Sequence, residues 1–67
     1  MATYRNFLFR DEETGEEFFV ELREEDYSPS ANLEEEAKEI AAEYFEEPVL
    51  IEEVDTATAY ILGYDTY

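Results

Sequence analysis

Glu35, Glu36, Glu39, Glu43, Glu46 and Glu47 put a dense run of carboxylates into the middle of this chain, and Asp11, Glu12, Glu13, Glu16 and Glu17 make a second run nearer its start. Carboxylates can transfer protons, hold a hard cation or meet a basic surface. Proton transfer needs a pocket that moves two carboxyl pKa values apart, and a chain of 67 residues has little room for one. With no histidine in the sequence, Ser28 and Ser30 also lack the usual base for a nucleophile. Cation binding fails on pattern: Gly15 follows Asp11 one position too early for the D-x-[DN]-x-[DN]-G-x₅-E calcium loop. The expectation is therefore a protein that is not an enzyme and has no catalytic residue, metal site or cofactor.

Recognition of a basic surface remains. Twenty acids against four bases give a net charge of −16. Such a field repels nucleic acid and anionic membranes, and draws in basic proteins at low salt. On the helix expected over Leu33–Phe45, the spacing of Glu36, Glu39, Glu43 and Glu47 lines them up, with neighbours ~5–6 Å apart and Glu35 and Glu46 beside them. Duplex DNA carries about one charge per ~1.7 Å of axis, so a rigid row of carboxylates imitates its phosphates. The second acidic run, Asp11, Glu12 and Glu13, is expected at a hairpin tip. Tyrosine brings contact area with a polar tip and is enriched at binding hot spots. Tyr27, Tyr64 and Tyr67 are the expected anchors, whereas Tyr44 and Tyr60 are expected to complete the core.

These side chains need positioning by a small α+β domain spanning residues 1–67. Thr3–Arg10 and Glu17–Arg23 read as two strands of a hairpin, with Glu12–Gly15 as the loop and Gly15 in the left-handed conformation that ends it. Pairing Arg10 with Glu17 puts Phe7, Phe9, Phe18, Val20 and Leu22 on one face. Leu8 and Phe19 then cover each other on a part-exposed second face. Leu33, Ala37, Ile40, Ala41, Tyr44 and Phe45 recur at helical spacing, Asn32 and Glu35 have the form of a capping box, and Pro48 is expected to stop the helix. Pro48–Val54 reads as a third strand, giving a ββαβ unit with a three-stranded sheet in the order 2-1-3 and the helix packed on one face. Thr56–Leu62 alternates well enough for a strand, but Asp55 as cap and Gly63 as terminator favour a short C-terminal helix.

In size, acidity, lack of cysteine and histidine, and the glutamate wall over Leu33–Glu47, the whole chain resembles the small acidic proteins that bacteriophages make to disable host machinery, among them anti-CRISPR proteins and other DNA mimics. The resemblance implies an inhibitor that works in the cytoplasm, the host's if phage-encoded, and occupies the basic groove of a nucleic-acid-binding protein without itself binding nucleic acid or membrane. It is expected to be a monomer or weak dimer. The competing reading is an accessory domain whose acidity serves solubility or adaptation to high salt, with no role as a mimic.

Overall fold

The computed structural model describes residues 2–67. Strands β1 (Tyr4–Asp11) and β2 (Glu17–Arg23) form the hairpin, α1 (Leu33–Tyr44) crosses over to β3 (Pro48–Val54), and α2 (Thr56–Leu62) follows. The sheet has the order β2-β1-β3, with β1 central and antiparallel to both neighbours. The hairpin register runs from Tyr4 opposite Arg23 to Arg10 opposite Glu17, as the two-face pattern requires. Gly15 closes the loop at φ 78°, and its N–H donates to the carbonyl of Asp11 at 2.7 Å. On the other side of β1 the ladder slips once. Glu52 faces Leu8 and Leu50 faces Phe9, so Ile51 between them is unpaired and bulges the free edge of the sheet.

One face of the sheet packs on α1. Phe7, Phe9, Phe18, Val20 and Leu22 meet Leu33, Ala37 and Ala41, all buried. The two alanines let the helix lie close while the phenylalanine rings fill the volume between layers. Asn32 caps α1 through its Oδ1, which accepts from the Glu35 N–H at 3.2 Å. The helix ends at Tyr44, four residues before Pro48. Phe45 has already left helical geometry (φ −133°, ψ 152°) and lies stacked on Phe18 with ring centroids 3.9 Å apart. The stacking of that ring and Pro48, whose ring would clash with the Tyr44 carbonyl in a continued helix, both oppose another turn.

The second face is closed as well, against expectation. Leu8 and Phe19 are 7% and 1% exposed. The covering comes from the end of the chain. Asp55 caps α2 by accepting from the Thr58 N–H at 2.7 Å, and Gly63 ends it at φ 67°. Asn6 is buried and donates to Thr56 Oγ1. Tyr64 then stacks on Phe19. Residues 65–67 run parallel to β2 and bond to it three times: Phe19 N–H to Asp65 O, Tyr67 N–H to Phe19 O, and Glu21 N–H to Tyr67 O. The edge of β2 is thereby paired, and among the described residues β3 leaves the open one.

At the open end of the hairpin, Arg5 makes a two-point ion pair with Glu53, at 2.8 and 2.7 Å, and lies over the Phe7 ring. Arg5's hydrogen bonds hold the Glu53 carboxyl below its ordinary value, against a smaller opposing effect of burial. A depressed carboxyl stabilises the fold above its ordinary pKa and loses that contribution as pH falls through its folded value. Both side chains are over a third exposed, so the pair contributes ~0.2–1 kcal/mol. Glu53→Gln is expected to lower stability by that small amount at pH 7, with the difference from wild type vanishing in acid below the folded pKa, as read by urea denaturation at each pH.

Candidate acidic protein-binding surface

On α1 the glutamates do not behave alike. Glu34, Glu35 and Glu36 occupy the first turn, where a negative charge is favoured by the helix dipole. Lys38 lies 3.8 Å from both Glu34 and Glu35, so the charge of Glu35 is partly answered. Glu36 is half-buried. Glu39 and Glu43 are exposed, and among the described residues neither they nor Glu36 have a basic group within 4.0 Å.

Because the helix stops at Tyr44, Glu46 and Glu47 do not continue its row. They belong to the turn leading into β3, and that turn is fastened to the hairpin tip. Glu12 N–H donates to the carbonyl of Glu47 at 2.9 Å, and Glu47 N–H donates to Asp11 Oδ1 at 3.0 Å. The two acidic runs, separate in sequence, thus meet at one end of the molecule. Asp11 is the fastening and not part of the surface. It is 2% exposed, and its second oxygen accepts from the Thr14 hydroxyl. A carboxylate so used cannot also meet a partner. Asp11→Ala is expected to cost about 1–3 kcal/mol in urea denaturation by stripping these donors of their acceptor. Asp11→Asn, which keeps an oxygen for Glu47, should cost less.

Charge is distributed unevenly along the sheet. At the open end, Arg5 pairs with Glu53, and Arg23 lies 3.4 Å from Glu25. Burial alone would raise the Glu25 carboxyl, but hydrogen bonds, chiefly from the Thr3 N–H, bring it below its ordinary value. At the tip end, Arg10 answers Glu17 at 3.1 Å. Glu12, Glu13, Glu16, Glu46 and Glu47 are all exposed, and among the described residues none has an ion pair. Nor, among the described residues, do three or more carboxylates converge as metal ligands would.

The tyrosines divide differently from the sequence-based expectation. Tyr27 packs against the core and is only partly exposed, so most of its ring is committed inside. Tyr64 is spent on Phe19, though over a third of it is exposed. Tyr44, expected in the core, is 58% exposed at the last residue of α1. It lies 4.7 Å from the Tyr67 ring, which sits edge-on to Phe18 and Phe45. The Tyr67 phenol is pushed above its ordinary value, first by burial and then by the nearby charges of Asp65 and Glu16. Tyr44 and Tyr67 therefore form an aromatic pair beside the acidic tip. Tyr60 is also absent from the core, at 87% exposed. No spacing rule separates Tyr44 from the buried stripe: its position at the last helical residue decides its exposure.

No family model, curated protein or solved structure matches this chain. Among the described residues, no helix is long and apolar enough to cross a membrane.

Proposed function

We propose that this chain is an acidic protein-binding inhibitor, not an enzyme, that presents phosphate-like charge to the basic surface of a nucleic-acid-binding protein in the cytoplasm. The observation that carries the reading is the meeting of Glu12, Glu13, Glu16, Glu46 and Glu47 at the hairpin tip with no ion pair among the described residues, on backbone held by the Asp11 and Glu47 hydrogen bonds. Like charges held together on a rigid frame cost stability, and a basic partner relieves that cost on binding. Glu39 and Glu43 extend the charge along α1, and Tyr44 and Tyr67 supply contact area beside it.

The test is competition. The immobilised protein is exposed to purified DNA-binding proteins from a bacterial lysate, and bound material is eluted with duplex DNA. A retained protein released by DNA, and not retained by Glu12→Lys/Glu13→Lys/Glu46→Lys/Glu47→Lys, supports the mimic. Retention that ignores both DNA and the charge reversal sinks it. A fold that forms only in molar salt would favour adaptation to salt instead.

A further inference from the structure

The C-terminal helix α2 (Thr56–Leu62) buries none of its residues, yet it is the most apolar stretch of the second half of the chain. Tyr60 and Ile61 are 87% and 81% exposed, and Leu62 is 41% exposed. Single exposed apolar residues are ordinary, but three in succession on a capped, well-formed helix make a projecting apolar knob. Its position is fixed by the Asp55 cap, the Gly63 terminator and the Asn6–Thr56 hydrogen bond. Beside it, a groove of about 360 Å³ opens between α2 and the second face of the sheet, with Tyr60 and Tyr64 on its walls and Glu21 as its one charged residue.

The charge around the knob identifies its occupant. Glu21 on the groove wall has no ion pair among the described residues, and Asp55 and Asp65 flank α2 in the sequence. A hydrogen bond from the Thr58 N–H holds the Asp55 carboxyl below its ordinary value. A second copy of the chain would bring −16 against −16, and an anionic bilayer is repelled for the same reason.

We infer that the Tyr60–Ile61 knob of α2 is the apolar anchor of a docking surface for a basic protein, which seats an aliphatic side chain against the knob and a lysine or arginine in the groove beside Glu21. The charged tip would then govern encounter, and α2 would govern residence, since rim charge acts mainly on association and desolvated anchors on dissociation. This rests on the proposed reading that the partner is basic, and adds that an apolar contact is required.

Two synthetic 14-residue peptides of equal positive charge test it: an amphipathic leucine–lysine helix and a serine–lysine control, titrated by NMR into the protein. The leucine peptide is expected to bind at least tenfold more tightly and to shift the amides of Ala59–Gly63. Tyr60→Ala/Ile61→Ala is expected to remove that tenfold preference while changing binding of the serine peptide less than twofold. Both side chains point into solvent, so the fold is retained, and the unchanged amides of the sheet would show it. Equal binding of the two peptides by the wild type, or a preference that survives the double variant, overturns the anchor and leaves the acidic-surface reading standing. Failure of both peptides to bind at low salt overturns both. Shifts at Tyr60 and Ile61 that depend on protein concentration alone would assign the knob to a second copy and overturn the proposal.

Discussion

Phe18→Ala is expected to leave the domain unfolded in dilute buffer at 25 °C. Phe18 is fully buried, and three aromatic rings pack on it. It stacks on Phe45 at 3.9 Å and on Phe9 at 5.6 Å, and receives the edge of Tyr67 at 5.6 Å. Phenylalanine-to-alanine changes in cores cost about 3–5 kcal/mol, and a core this small rarely supplies more than about 3–5 kcal/mol in all. The loss reaches beyond packing. Phe45 breaks α1 and turns the chain toward Glu46 and Glu47, and Tyr67 ends the segment that closes the β2 edge. Without Phe18 both lose what they rest on. Near-UV circular dichroism and amide dispersion should collapse together. A cooperative thermal transition within a few degrees of wild type would mean that Phe45 and Tyr67 had closed over the gap. Tyr60→Ala is the contrast: at 87% exposed, it should change stability by less than about 0.5 kcal/mol.

Much of this architecture is readable from residue order, because the hairpin, both helices and β3 carry local signals. The alternation through Phe7–Phe9 and Phe18–Leu22 permits one register, and the structure has it. Asp55 and Gly63 mark α2 by capping chemistry that works over a few residues, and both act as expected. What was not readable is what depends on distant partners. Asp65–Tyr67 has no periodicity, and its pairing with β2 follows from where α2 leaves the chain, so the covering of Leu8 and Phe19 was invisible. The inward turn of Asp11 is hidden among neighbouring acids. The Thr14 hydroxyl is a local partner for it, but the Glu47 amide that buries it lies 36 residues away. Likewise the row from Glu36 to Glu47 needs a helix that continues, and the chain leaves helical geometry at Phe45, which stacks on Phe18. The candidate surface was thus half legible: its charges could be counted, but their meeting at one end could not.

Charge reversal at that end, Glu12→Lys/Glu13→Lys/Glu46→Lys/Glu47→Lys, is expected to strengthen the fold and destroy the binding. Four changes of two charges each take the net charge from −16 to −8. All four side chains are exposed, and the bonds joining Glu12 to Glu47 and Glu47 to Asp11 use main-chain groups of the replaced residues, so the frame survives. In water two like charges ~10 Å apart repel by roughly 0.4 kcal/mol. The four lysines repel one another as the glutamates did, so the gain comes from their attraction to the remaining acids, and it should total about 1 kcal/mol at low salt, roughly 4–8 °C in Tm for a domain of this size. The gain should shrink as salt rises, because exposed charges beyond a Debye length of about 8–10 Å are screened. Affinity for a basic partner, by contrast, should fall by about a hundredfold or more at 50 mM salt. The opposite signs give the experiment its force. A substitution that merely damages the protein lowers stability and binding together, and one that merely improves a solvated face raises stability and leaves binding alone. Only a surface that gives up stability in order to hold unpaired carboxylates for a partner should lose its partner as it becomes more stable.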